Sequence, residues 1–347
     1  MRNALLKSDD QPNSGQPMAD MALSNFTVPE QKLAAVKRSG AGDRRFRWLT
    51  WSACMLVLVI FAGVMIALSL GAAPAIKQYG LSFLYREDWN PVTDKFGGLA
   101  SIYGTMVSSV LAMFMAVPVG IGIAIFLTEI CPRSLRRPIG ISIELLAGIP
   151  SIVYGIWGLF TFAPFFQQNV QPWFVDAVAN IPILQDLFAG PPYGIGIFTA
   201  SFILMIMILP FISAVTRDVF NTVPVTLKES AYAMGCTTWE VVWHVVLPFA
   251  RTGVVGGAML ALGRALGETM AVTFVIGNAH RIATSLFAPG TTISATIANE
   301  FTEAVGDLYR SSLIELGLIL FFITFVVLAA AQIMLRALEK RAGGVQG

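Results

Sequence analysis

The chain has 347 residues, of which 55% are hydrophobic and 13% charged, with a mean hydropathy of +0.69. A soluble domain carries about 25% charged residues, so this chain cannot cover its own surface in water, while its high apolar content and net charge of +2 exclude a disordered protein. The 23 Lys+Arg are nearly cancelled by 21 Asp+Glu, without a basic run interleaved with aromatics, which argues against a nucleic-acid partner and leaves an integral membrane protein in a lipid bilayer.

Residues 1–48 are polar, lack helical periodicity and are expected to form a disordered tail. Residues 49–98 read as an anchor helix, apolar from Trp51 to Ala73, followed by a segment outside the bilayer. This apolar stretch is longer than the core of a signal peptide and follows some fifty polar residues, so it reads as retained. Five more stretches exceed the roughly 20 residues a crossing needs. They are Leu99–Thr128, Pro138–Phe166, Tyr193–Thr216, Thr252–His280 and Ser311–Leu335. Pro118 and Pro150 are expected kink positions. Glu144 and Glu315, the lone charges in the third and sixth stretches, are expected near the interfaces, satisfied by loops. The fold class is all-α, a polytopic membrane protein of six transmembrane helices. Connections on one side carry 17 Lys+Arg and those on the other carry 5, which places both termini in the cytoplasm and segments 74–98, 167–192 and 281–310 outside.

Catalytic and metal signatures are missing. Cys54, Cys131 and Cys236 are scattered, and His244 and His280 stand 36 residues apart, so neither a disulfide framework nor a zinc site is indicated. The sequence lacks a P-loop, H-E-x-x-H and G-x-S-x-G. No cofactor, metal or covalent chemistry is expected on this chain.

The loop at 217–250 is the most informative connection. Thr226/Glu229 and Thr237/Glu240 both have capping-box spacing. Gly235 falls where a helix wants a left-handed terminal residue, and Pro248 is expected to end or bend a second short helix. Leu227, Tyr232, Ala233 and Met234 put apolar or small side chains on a loop that should be wet, which asks for a protein partner. The series Glu229-Ser230-Ala231, Gly235, Val245 and Leu247-Pro248 resembles the "EAA" loop of ATP-binding-cassette importer permeases, with Ser230 for the middle alanine and Val245 for isoleucine. The resemblance implies a type I importer permease core of the MetI-like kind, formed by helices 2–6 over residues 99–338. It also implies that Glu229, Ala231, Gly235, Leu247 and Pro248 belong to a coupling helix that docks on a separate ATPase subunit.

Inside the fifth stretch lie Arg264 and Glu268. Arg264 is 13 residues beyond Arg251, about 20 Å along a helix axis and well within a hydrocarbon core of about 30 Å. Such a residue faces a polar cavity or a partner rather than lipid. On a continuous helix, Glu268 at i+4 shares its face. The two side chains form either a structural ion pair or an anion site, in which the guanidinium fork meets phosphate or carboxylate oxygens. An exchange of Arg264 between Glu268 and the anion would make a two-state element. Thr269, Thr273 and Asn278 either donate to the same anion or bond across helices. Gly253/Gly257 and Gly263/Gly267 read as close helix packing.

The run Gly263-Arg264-Ala265-Leu266-Gly267-Glu268-Thr269-Met270-Ala271-Val272 resembles the fifth-helix signature of the phosphate-specific (Pst) importer permeases. The runs from Glu144 to Gly155 and from Thr292 to Phe301 are similar to two further segments of that family, and the charged tail and long 74–98 segment are more like its C-type subunit. The resemblance implies an inner-membrane permease for inorganic phosphate with Arg264, Glu268, Thr269 and Thr273 in the substrate pathway. Implied partners are a second permease subunit (PstA type), an ATPase dimer (PstB type) that holds ATP and Mg, and a periplasmic phosphate-binding protein (PstS type). Alternatives are a permease for sulfate or molybdate and a self-sufficient secondary anion transporter.

Overall fold

The structure, a computed structural model, describes residues 30–178 and 181–343. All regular structure among them is helical, without a strand. Eleven helices organise it: α1 (Glu30–Tyr79), α2 (Leu99–Ile130), α3 (Arg133–Ala147), α4 (Ser151–Val178), α5 (Pro182–Leu187), α6 (Ile197–Asn221), α7 (Val225–Ala233), α8 (Thr238–Leu266), α9 (Met270–Val275), α10 (Ile293–Glu300) and α11 (Asp307–Gly343). Five helices are long and apolar enough to cross a membrane: α1, α2, α6, α8 and α11. The pair α3 and α4, bent by 87°, has the length and apolar composition of a sixth when the two are taken together as one broken span. The chain divides into two compact units, Met1–Val64 and Met65–Gly347.

In the first unit the described residues are helical, and the side chains from Leu56 to Phe61 are exposed, as a lipid-facing helix requires. The disorder expected for 1–48 falls in part on 1–29, outside the described residues; from Glu30 onward the chain is helical instead. The stretch Glu30–Lys37 is rich in good helix formers, and it extends a helix already nucleated by the apolar span, which removes the cost of starting one.

In the second unit, α2 packs along α6 through small residues. Ala112 and Ala116 are fully buried, and a Cβ placed at Gly120 would lie 2.6 Å from Ile212 Cγ2. Helix α8 approaches α6 in the same way, with Gly253 against Val219 and Gly257 against Val215. Gly263 sits beside Leu328 of α11, whereas Gly267 ends α8. One end of α2 is tied to the loop before α10: Gly104 abuts the Thr291 carbonyl, and Thr105 Oγ1 accepts from Ile293 N at 2.9 Å. The other end packs Ala124 with Phe220, Ala231, Val241 and Val246 beneath α7.

Two expected spans are corrected. The third is not one kinked helix over 138–166. Gly148 closes α3, and Pro150, lacking an N–H, opens α4, which runs on to Val178. The fifth begins at Thr238 rather than Thr252 and stops at Leu266, well short of His280. Pro248 does not end a short helix: a π-turn at Val242–Val246 precedes it, and the wider turn relieves the clash of the proline ring with the preceding carbonyls. Glu144 and Glu315 also depart from expectation. Glu144 is bonded by Arg217 of α6 at 2.7 Å rather than by a loop, and Glu315 is 5% exposed with Oε2 unpartnered.

Candidate functional site

Residues 217–250 form a tight helix–turn–helix at the end of the α2/α6 pair. α7 ends in a Schellman motif: Cys236 N donates to Ala231 O at 3.2 Å, and Gly235 N donates to Tyr232 O at 2.9 Å. Gly235 has φ +90°, a conformation an L side chain resists. Thr237 then caps α8. Its Oγ1 accepts from Glu240 N at 3.4 Å, while Thr237 N donates to Glu240 Oε2 at 2.7 Å. The Thr226/Glu229 box does not form. Pro224 precedes the first turn of α7, and the Thr226 carbonyl accepts from Ser230 Oγ at 2.7 Å.

Helix α7 has two distinct faces. Ala231 is 4% exposed and packs into the core, whereas Glu229 is exposed without a partner among the described residues. Val225, Leu227, Tyr232, Met234 and Trp239 are exposed beside it, with Trp243 stacked on Trp239 at 5.7 Å. Leu247 is half-buried and Pro248 exposed. An acidic group thus stands amid exposed apolar side chains on a turn held by its own backbone hydrogen bonds. Beneath it, Lys228 Nζ meets Glu129 Oε1 at 2.6 Å, with side chains 17% and 7% exposed.

The second group does not form the expected helical pair. α8 stops at Gly267, and Thr269 adopts φ −113°, ψ −64° before α9 begins. Arg264 and Glu268 therefore do not share a continuous helix face. Glu268 Oε1 instead accepts from Ala271 N at 3.4 Å, at the start of α9. Thr273 Oγ1 donates to Thr269 O at 2.7 Å and Thr269 Oγ1 to Gly267 O at 3.4 Å, so both hydroxyls bond to nearby backbone. Asn278 lies beyond α9 with φ +52°. Arg264 is exposed, as are Leu260 and Met270 in the same stretch of sequence, and makes no ion pair among the described residues. A free guanidinium on the open flank of a membrane-spanning helix needs water, an anion or another chain against it.

Two further clusters escape sequence reasoning. Glu129 and Lys228 are 99 residues apart. Glu300 accepts from Trp89 Nε1 (2.7 Å), Tyr309 OH (2.6 Å) and His280 Nε2 (2.6 Å), and Trp89 stacks on His280 at 5.2 Å. Burial raises the Glu300 carboxyl, but hydrogen bonds from His280, Tyr309 and Trp89 outweigh it and hold the group below its ordinary range. No local motif joins these residues. Among the described residues, no three His, Cys, Asp or Glu side chains are grouped to hold a metal.

Comparison with known proteins places this geometry. Residues 116–344 match the family described as binding-protein-dependent transport system inner membrane component. The "Phosphate transport system permease protein PstC" of Mesorhizobium japonicum is 65% identical over 316 residues, covering 91% of this chain and 97% of that protein. The protein of the same name from Pasteurella multocida is 55% identical over 298 residues, covering 86% and 93%. A chain of a bacterial alginate ABC transporter, crystallised in complex with an alginate pentasaccharide-bound periplasmic protein, shares the fold. Its TM-score is 0.56 at 17% identity, over 85% of this chain and 96% of that one. With its helical fold, its exposed turn and a family match over most of its length, the chain belongs to the inner membrane components of binding-protein-dependent transport systems.

Proposed function

We propose that this chain is the PstC-type permease subunit of an ATP-binding-cassette importer of inorganic phosphate. It is a multi-pass inner-membrane protein with both termini in the cytoplasm. The near-complete match to phosphate permeases of the same name supports the substrate. The exposed, unpaired Arg264 on α8 supports the pathway, because one chain alone leaves that guanidinium uncovered. A second permease subunit of PstA type completes the wall, so that Arg264 meets oxyanions in a space shared by two chains. Glu268, Thr269 and Thr273, at the break between α8 and α9, line the same stretch. A guanidinium suits this role because it stays charged at every physiological pH and presents a planar fork to tetrahedral oxyanions.

Energy comes from an ATPase dimer of PstB type that binds ATP and Mg and grips the surface around Glu229, Ala231 and Gly235, with Leu247 and Pro248 carrying the motion into α8. A periplasmic binding protein of PstS type delivers phosphate at the opposite end. The chain itself performs no covalent chemistry.

The test is uptake of labelled phosphate by proteoliposomes holding the complete transporter, with binding protein outside and ATP inside. ATP-dependent accumulation competed by unlabelled phosphate, and not by sulfate or molybdate, supports the reading. Accumulation without the ATPase, or preference for sulfate or molybdate, refutes it.

A further inference from the structure

The apolar underside of α7 rests on the end of α2 and on the first turns of α8 through Ala124, Ala231, Val241 and Val246. Contacts of this kind are non-directional, so they hold α7 down without fixing its position along or around the α2 axis. A directional contact is present as well. Lys228, next to the exposed Glu229, turns inward and meets Glu129 at 2.6 Å. Both side chains are largely buried, at 17% and 7% exposure. Among the described residues this is the only ion pair between segment 222–246 and a membrane-spanning helix.

The acceptor side is built to be stiff. Glu129 lies in the π-turn Phe126–Ile130 that ends α2, a helix irregularity found frequently at functional sites. Arg136 Nη2 donates to the neighbouring Thr128 carbonyl at 2.7 Å, and Thr128 Oγ1 donates to Ala124 O at 2.9 Å. From there α2 runs unbroken to Leu99. It packs along α6 and α8, and at its far end Thr105 Oγ1 holds the Ile293 amide at 2.9 Å. A displacement of Lys228 therefore pulls on a rod that reaches the opposite end of the bundle and borders the helix carrying Arg264. Two low-dielectric charges in contact resist separation far more than methyl groups resist sliding.

We propose that the Lys228–Glu129 pair is the mechanical link that transmits movement of the ATPase-docking turn into α2, and so couples ATP hydrolysis to phosphate passage. These are positioning residues; neither touches nucleotide or phosphate. The proposal rests on the coupled-import reading above and adds residues outside the resemblance motif.

The test uses the complete reconstituted transporter and measures ATP hydrolysed and labelled phosphate accumulated in the same vesicles. Glu129→Gln and Lys228→Met are expected to co-purify with the ATPase and to hydrolyse ATP. Their phosphate accumulated per ATP should fall by roughly tenfold, within the range of coupling energies between distant sites. The reversed pair, Glu129→Lys with Lys228→Glu, is expected to recover most of that ratio. An unchanged ratio in the single variants overturns the proposal. So does a proportional loss of hydrolysis and transport, which is what a purely structural role predicts. If the single variants do not assemble, the reversed pair decides: restored transport per ATP supports the link, while assembly without restoration overturns it. Failure of all three to assemble assigns the pair to folding and also overturns it. A wild-type transporter that accumulates no phosphate would instead remove the function proposed above, so the two failures are distinguishable.

Discussion

Replacing Glu300 with alanine strands three donors at once. Trp89 Nε1, Tyr309 OH and His280 Nε2 all end on this carboxylate at 2.6–2.7 Å. A carboxylate only accepts, so His280 must carry its proton on Nε2. The donors come from segment 85–98, from the loop after α9 and from the start of α11, so one side chain ties three separate stretches to α10. A hydrogen bond to a charged group contributes about 1.5–3 kcal/mol. Three bonds on one acceptor do not add fully, and the expected loss for Glu300→Ala is about 3–6 kcal/mol. The pH dependence has a definite sign. Burial raises the carboxyl, the three donors lower it more, and its native pKa lies below the ordinary value, which is about 4.3 in an unfolded chain. The native state therefore binds fewer protons on this group. Its stabilisation is complete above the unfolded value and is lost as pH falls through the native one. Equilibrium unfolding of the purified transporter in mixed micelles measures this as the gap between wild type and Glu300→Ala. The gap should narrow as pH falls below about 4. A gap under about 1 kcal/mol at neutral pH, the scale of a single neutral hydrogen bond, or one that does not narrow below about pH 4, would refute the reasoning.

Arg264→Lys keeps the charge but loses the planar fork. Labelled-phosphate uptake should fall roughly tenfold or more, in line with one lost charge-assisted bond, while co-purification of the ATPase is unchanged. Gly257→Val puts a Cβ 2.7 Å from Val215 Cγ1, well inside the roughly 3.5–4.0 Å of a comfortable carbon contact. An overpacking cost of about 1–3 kcal/mol should appear in the unfolding midpoint. Gly235→Ala meets no neighbour within 4 Å yet forces φ +90° on an L residue. It should cost about 1–2 kcal/mol and speed proteolytic nicking of the turn. Thr237→Ala removes the capping side chain and should cost about 1 kcal/mol in the same unfolding assay.

Most of what sequence reading recovered was local. Gly235 and the Thr237/Glu240 box stop one helix and start the next through bonds between residues at most five apart, so their spacing carries their geometry. The Thr226/Glu229 box has the same spacing and does not form, because Pro224 had already opened the helix two residues earlier. The pairing expected of Arg264 and Glu268 presumed an unbroken helix. Gly267, a weak helix former, ended it, and no periodicity count registers where packing permits such a break.

The six apolar stretches, the all-helical class and the glycine-stopped turn after Ala233 follow from composition and short-range pattern, because a bilayer demands long runs of apolar residues with internally satisfied backbones whatever packs around them. Only the folded chain decided that α3 and α4 meet at 87°, that Lys228 finds Glu129, that Glu300 gathers Trp89, His280 and Tyr309, and that Arg264 stands open. Each of these depends on which distant segments come to lie within about 3 Å of one another, the reach of a hydrogen bond, and such proximity is written in the packing of helices rather than in any window of residues.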